Sequence, residues 1–328
     1  MKTAIINRPV STVSYQGVLQ AEKIIYQTLK PTPLTFYQNL STLCDCEIYV
    51  KHENHLPGGS FKIRGGLNLM HHLKKRNVNG VITFSMGNHG ISIATAAKLS
   101  AMEATIVVPK GCGPEKSQLI KDAGANLVEI GDNFEQAAKA CTDLQKQRDL
   151  YYIHPANEPE LIHGVGTAFT EILRDLPNLD AIIVPIGGGS ELAAAVTVFK
   201  TVNPKIEIYA VQAYESQGAY QSWKSGTITQ AANRTFAGGV ATGAAYELPF
   251  SIYKDQLTDF ILLSEEEIRK GMYMALLYTH NLTESAGSLT LAAAEKIKHK
   301  LAGKKVALQM SGCNETMQCI YESLQAYV

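Results

Sequence analysis

Short apolar runs rich in β-branched residues alternate with longer segments of helical period along most of this chain. The alternation is typical of strand–helix–strand units built on a parallel sheet, and it predicts an α/β fold. The predicted strands are residues 47–50, 80–84, 105–108, 126–130, 181–186, 206–211 and 306–310. The predicted helices are residues 115–122, 134–147, 160–173, 192–202 and 285–301. Ser264 and Glu267 predict a capping box at the start of one further helix.

The length of 328 residues predicts two domains, or one large α/β unit with an insertion, at about 100–200 residues per domain. No Gly/Ser/Pro-rich linker divides the chain, so we expect the second domain to be inserted within the first. Residues 76–155 are predicted to form a smaller inserted α/β domain. Residues 1–75 and 156–328 are then predicted to form the larger domain.

The composition excludes several classes of protein. With 45% hydrophobic and 18% charged residues the chain is not disordered, and 30 basic residues balanced by 30 acidic ones argue against nucleic acid or a membrane surface as a partner. Neither a signal peptide nor an apolar run of about 18 residues is visible. The six scattered cysteines predict reduced thiols, and hence the cytoplasm. Their spacing predicts no metal site.

Three strand-to-helix junctions are rich in small residues, and such junctions lie at the edge of a parallel sheet where ligands bind. They are Phe84-Ser85-Met86-Gly87-Asn88-His89-Gly90, Gly187-Gly188-Gly189-Ser190 and Ser311-Gly312-Cys313-Asn314. The first is equally consistent with an anion site and with an ordinary tight turn. The second favours a phosphate at a helix N-terminus, although GxGxxG and GxxxxGK[ST] are both absent. The third, taken alone, is a turn with a helix cap.

A lysine lies near the start of another predicted helix, in Gly58-Gly59-Ser60-Phe61-Lys62-Ile63-Arg64-Gly65-Gly66. The positive end of the helix dipole disfavours the ammonium form of Lys62 and lowers its pKa. A neutral amine suits attack on a carbonyl. A solvated surface lysine is the alternative interpretation.

In this order the segments resemble the fold-type II pyridoxal-phosphate enzymes, in particular the threonine/serine dehydratase and serine racemase group. The resemblance extends from Thr32-Pro33-Leu34 to Ser311-Gly312-Cys313-Asn314, and Thr283-Glu284-Ser285-Ala286-Gly287 is similar to a segment that flanks the cofactor. It implies a two-lobed open twisted sheet in three αβα layers, like the tryptophan synthase β subunit. It also implies that pyridoxal 5'-phosphate binds to the larger domain and that the enzyme is a homodimer.

The resemblance also implies roles for individual residues. Lys62 would bind the cofactor covalently and act as the catalytic base. The implied cofactor-binding residues are Phe61, Lys62, Asn88, Gly187, Gly188, Gly189, Ser190, Glu284 and Ser311. The implied substrate-binding residues are Ser85, Met86, Gly87, Asn88 and His89. A neutral Ser311 hydroxyl cannot keep the ring nitrogen protonated as a carboxylate would, which favours β-elimination over racemisation.

The implied reaction is dehydration and deamination of a β-hydroxy amino acid, such as L-threonine or L-serine, to a 2-keto acid and ammonia. The alternatives are a racemase or a β-replacement enzyme on the same scaffold, and a non-catalytic binding protein. Met86 stands where racemases of the family have a serine, and because a thioether cannot donate a proton, racemisation by that route is not carried over. Gln212 and Gly218 stand at the positions of the family's acidic divalent-cation ligands, so metal dependence is not carried over either. We also expect no regulatory domain after Val328.

Overall fold

The computed structural model describes residues 12–132 and 134–327. Its strands are β1 (Leu34–Phe36), β2 (Glu47–His52), β3 (Gly80–Phe84), β4 (Glu103–Val108), β5 (Asn126–Glu129), β6 (Tyr151–Tyr152), β7 (Ala181–Pro185), β8 (Glu207–Ala213), β9 (Asp259–Leu263) and β10 (Lys305–Met310). Its helices are α1 (Tyr15–Ile25), α2 (Gln38–Cys44), α3 (Lys62–Lys75), α4 (Asn88–Leu99), α5 (Pro114–Asp122), α6 (Phe134–Gln147), α7 (Pro159–Asp175), α8 (Ser190–Val202), α9 (Gly218–Ser225), α10 (Glu247–Tyr253), α11 (Glu265–Met274), α12 (Ser285–Lys296), α13 (Lys298–Leu301) and α14 (Met317–Gln325).

The larger of two sheets has six strands in the order β1-β2-β10-β7-β8-β9. Only β1 runs antiparallel to its neighbour within this sheet. Strand β10 lies in the middle, where Leu308 is in register with Val50 on one side and with Ile183 on the other. Strands from the two ends of the chain therefore form one sheet.

The smaller sheet has four parallel strands in the order β5-β4-β3-β6, and they all come from residues 80–152. This segment falls between β2 and β7 of the larger sheet in the chain. The two sheets fit the expected two-lobed architecture. The domain boundaries, at residues 75/76 and 155/156, stay a prediction.

Apolar side chains cover both faces of the larger sheet. On one face Ile48 and Leu308 pack in a cluster that includes Leu291 of α12. On the other face Ile182 packs with Phe169 of α7 and Phe199 of α8, and the two phenylalanine rings lie 5.6 Å apart edge to face. Helices on both sides of a mostly parallel sheet confirm the predicted α/β fold in three layers.

The sequence pattern predicts most elements but not all of them. Strands β1, β6 and β9 were not predicted, and the helix predicted over 285–301 is interrupted at Ile297. The capping box at Ser264 and Glu267 is confirmed. The six cysteines are unpaired, and within the described residues no helix is long and apolar enough to span a membrane.

Candidate active site

The lysine segment is attached to the end of the central strand β10. The Phe61 N–H donates to the Ser311 carbonyl at 3.0 Å, Ser60 and Gly312 form an isolated β-bridge, and the Cys313 N–H donates to the Gly59 carbonyl at 2.9 Å. These backbone hydrogen bonds place the start of α3 beside Ser311, which is only 2% exposed. The lysine segment and the third junction therefore meet.

Lys62 is the first residue of α3 and reaches the start of α8. Its Nζ donates to Ser190 Oγ at 3.0 Å and lies 4.8 Å from the centre of the Phe61 ring. Burial lowers the pKa of Lys62, and the charges of Glu191 and Glu284 oppose this shift. An amine whose pKa is lowered by burial has more of the neutral, nucleophilic form near neutral pH.

The glycines before α8 allow close backbone packing. A Cβ on Gly187 would lie 2.1 Å from the Gly239 carbonyl oxygen, and Gly189 has a left-handed φ of +86° that side chains disfavour. Gly188 is packed less closely, because a Cβ there would meet the Ala156 Cβ at 3.5 Å, an ordinary van der Waals contact. The loop leads into the N-terminus of α8 at Ser190, where free backbone N–H groups and the helix dipole favour an anion.

Asn88 is held by two side chains, Glu284 from the segment before α12 and Asn314 from the third junction. Its Nδ2 donates to both carboxylate oxygens of Glu284, at 2.7 and 2.9 Å, and its Oδ1 accepts from Asn314 Nδ2 at 2.7 Å. The Glu284 N–H in turn donates to the Gly312 carbonyl at 3.1 Å. Asn314 was not among the predicted site residues, although it belongs to the third junction. Its amide fixes which way the Asn88 amide points.

The junction between β3 and α4 has an open part and a buried part. Met86 is 38% exposed, and a Cβ on Gly87 would meet nothing within 4 Å. The Ser85 hydroxyl accepts the N–H groups of Gly87 at 3.3 Å and Gly90 at 3.0 Å, so it stabilises its own loop. Its contact with a substrate stays a prediction.

His89 belongs to the buried part of this junction. Its Nε2 lies 3.1 Å from Thr83 Oγ1. Burial, together with the smaller effects of the Lys62 and His154 charges, lowers the pKa of His89 to about 3. The His89 ring is therefore neutral near pH 7.

A fourth junction, His154-Pro155-Ala156-Asn157 after β6, was not predicted. His154 Nδ1 accepts the N–H groups of Ala156 at 3.1 Å and Asn157 at 3.0 Å, so the neutral ring carries its proton on Nε2. The His154 ring packs edge to face against Tyr246 at 5.2 Å. Ala156 and Tyr246 are the side chains that a Cβ on Gly188 would contact. The sequence signal for this fourth junction was a stretch containing Pro and Asn directly before the helical period of α7.

A buried ionic network fixes α3 below Lys62. Arg64 donates through Nε to Glu53 Oε2 and through Nη1 to Glu171 Oε1, both at 2.6 Å, and Lys51 Nζ donates to Glu171 Oε2 at 2.6 Å. All four side chains are at most 1% exposed. Two cations and two carboxylates neutralise one another, which is the condition for burying charge.

The fold and the site together define an α/β enzyme that places a lysine amine beside an anion-binding loop. The sequence profile of the pyridoxal-phosphate dependent enzyme family matches residues 25–312, and this chain belongs to that family. Its cofactor is pyridoxal phosphate.

Relatives of known activity share most of the chain. L-threonine ammonia-lyase of Thermotoga maritima is 31% identical over 92% of this chain and 76% of the relative. The catabolic L-threonine dehydratase of Staphylococcus aureus is 34% identical over 92% of this chain and 89% of the relative. The solved structure of maize serine racemase superposes with a TM-score of 0.90 at 27% identity, over 96% of this chain and 98% of that one. The predicted family and group are confirmed.

The chemistry of the donor groups fits this cofactor. Lys62 would supply an amine for its aldehyde, and the N-terminus of α8 would supply backbone N–H groups for its phosphate. Ser311 would supply a neutral hydroxyl for the ring nitrogen. The described residues contain no group of three or more His, Cys, Asp or Glu side chains suited to a metal.

Proposed function

We propose that this protein eliminates the β-hydroxyl of an amino acid such as L-threonine or L-serine and releases a 2-keto acid and ammonia. The observation that carries the proposal is Lys62, whose Nζ lies 3.0 Å from Ser190 Oγ at the anion-binding loop and whose pKa is lowered by burial. The ammonia-lyase and dehydratase activities of the relatives support the same reaction.

Pyridoxal phosphate, when bound, stabilises negative charge at the α-carbon of an amino acid. The residues implied by the resemblance would hold it: Phe61 against the ring, Asn88 and Glu284 at its edge, Ser311 at its nitrogen, and Gly187, Gly188, Gly189 and Ser190 at its phosphate. Lys62 is the proposed base, and its Nζ takes the proton from the substrate Cα. A neutral Ser311 leaves the charge on the substrate long enough to expel the β-hydroxyl.

The substrate carboxylate is proposed to bind at the start of α4. The backbone N–H groups of Gly87, Asn88 and His89 lie at or near the N-terminus of that helix, where a carboxylate is stabilised. Met86, beside them, contributes a flexible thioether wall rather than a proton donor. This disfavours racemisation, which needs a proton delivered to the opposite face.

Two assays test the proposal. The purified protein should show the visible absorption of a lysine-bound cofactor and should convert L-threonine or L-serine to a keto acid. Lys62→Ala should lose both, whereas Lys75→Ala, an exposed lysine of the same helix, should keep both. Formation of the opposite enantiomer without keto acid would contradict the elimination reaction, and a colourless protein would contradict the cofactor assignment.

The same proposal includes a homodimer in the cytoplasm, with the domain boundaries given above and no nucleic-acid partner. Leu276 and Leu277, which follow α11, are 40% and 46% exposed, and a second copy could cover such apolar side chains. Six unpaired cysteines suit a reducing compartment. Sedimentation analysis should give twice the mass of the 35.7 kDa chain, and a monomer would contradict the dimer.

A further inference from the structure

The carboxylates around Lys62 differ in how their oxygens are used. Glu53 accepts from Arg64, and Glu284 accepts from Asn88. Glu191 is different, because its buried Oε1 has no hydrogen-bond partner among the described residues. A buried carboxyl oxygen without a partner is costly, so its retention beside a lysine amine calls for a chemical reason.

Glu191 lies in the buried first turn of α8. It directly follows Ser190, the acceptor of the Lys62 amine, and it is only 4% exposed. Gln309 of β10 lies beside it, two residues before Ser311, and is fully buried with neither amide atom in a hydrogen bond within the described part of the chain. A buried carboxyl and a buried amide therefore lie next to each other at the start of α8, whose first residue, Ser190, contacts Lys62.

The charges around Glu191 come from several elements. Lys62 of α3 attracts it, Glu53 after β2 and Glu284 before α12 repel it, and the Gln309 amide favours its ionised form. Burial is the largest effect and raises the pKa of Glu191 well above its ordinary value. Among the charges that oppose the lowering of the Lys62 pKa, that of Glu191 has the largest effect. Lys62 and Glu191 therefore affect each other's pKa more than any other charged group affects either of them.

We propose that Glu191 is a positioning residue that supports the ammonium form of Lys62, with Gln309 stabilising the Glu191 carboxylate. This inference rests on the proposed function, in which the Cα–H bond breaks, the proton moves to Lys62 Nζ and the electron pair stays with the substrate. A buried lysine alone would be too weak a base, since its ammonium has no compensating charge. An ionised Glu191 carboxylate supplies that charge and raises the basicity of the amine, and the one proton that moves is the proton from Cα to Nζ.

The test compares Glu191→Gln and Glu191→Asp with Glu266→Gln, which removes an exposed carboxylate of α11. We expect Glu191→Gln to move the acidic limb of the kcat–pH profile down by about one pH unit and to lower the maximal kcat about tenfold, with KM little changed. Glu191→Asp should recover part of both changes. Glu266→Gln should match the unchanged protein. Gln309→Leu should shift the acidic limb in the same direction by a smaller amount. This variant tests the proposal if Glu191→Gln does not fold.

A second readout does not depend on turnover. Infrared difference spectra of the protein across pH should show a protonated carboxyl band that is absent from Glu191→Gln, and the visible absorption of the holoenzyme should titrate at a lower pH in this variant. These measurements remain informative if neither threonine nor serine is a substrate. An unshifted pH limb and titration, or an effect on KM alone, would overturn the inference.

Discussion

Gly187→Ala tests how closely the anion-binding loop packs against its neighbour. The added Cβ would lie 2.1 Å from the Gly239 carbonyl oxygen and 3.3 Å from the Val240 Cα. Both are backbone atoms, so no side chain can rotate away, and the two segments must separate by about 1 Å to restore van der Waals contact. Overpacking of this kind costs about 1–3 kcal/mol.

The expected change in Tm follows from the size of the protein. An unfolding entropy of about 2 cal/mol/K per residue gives about 0.7 kcal/mol/K for 328 residues, so about 2 kcal/mol lowers Tm by about 3 °C. The displaced loop should also weaken cofactor affinity by about tenfold, or about 1.4 kcal/mol. Calorimetry and a titration of the cofactor-free protein with pyridoxal phosphate measure the two effects.

Gly188→Ala is the matched control, because it makes the same chemical change one residue away. Its Cβ would meet Ala156 at 3.5 Å, an ordinary contact. The substitution also reduces the freedom of the unfolded chain, which is worth about 0.4–1 kcal/mol, so Tm should hold or rise by about 1 °C. Equal Tm values for the Gly187→Ala and Gly188→Ala variants would refute the packing argument.

Three further predictions concern charge and metal. Because the folded pKa of His89 is about 3 and the unfolded value is about 6.5, the unfolded state binds more protons between these values. The free energy of unfolding should therefore fall by up to about 2 kcal/mol from pH 7 to pH 5, and His89→Asn should flatten the slope in urea titrations. Arg64→Met should cost about 3–5 kcal/mol by leaving the buried Glu53 without its ion-pair partner, although Lys51 still pairs with Glu171, against at most about 1 kcal/mol for the half-exposed Arg174→Met, as denaturation midpoints would show. A chelator should leave activity unchanged, because both ends of the neutral Gln212 amide are hydrogen-bonded, and loss of activity reversed by a divalent cation would contradict this.

Local periodicity predicts the elements that carry long apolar runs, such as β7 and α8, because burial on a sheet face requires those runs. It does not predict β6, where only Tyr151 and Tyr152 pair with β3. The junction that follows β6 was missed for the same reason, and with it His154. Short strands are determined by partners distant in the chain rather than by their own sequence.

The order of the predicted site residues along the chain indicates which of them could share a site, but not which side chains contact each other. The Lys62–Ser190 and Asn88–Glu284 hydrogen bonds join residues 128 and 196 positions apart. No local pattern contains such a distance. Glu191 could not be singled out from the sequence either, because an acidic residue in the first turn of a helix is ordinarily an exposed partner of the helix dipole.

The position of β10 has a consequence for the order in which the enzyme becomes functional during synthesis. The ribosome makes residues 305–310 after the nine other strands that the structure describes, yet this strand separates β2 from β7 and leads directly into Ser311, whose carbonyl accepts the Phe61 N–H. A nascent chain in which β10 has not yet been made can form the smaller sheet, because residues 80–152 are made much earlier. Its reactive lysine, however, still lacks a fixed position. We therefore expect the amine chemistry of Lys62 to begin only after β10 has joined the larger sheet.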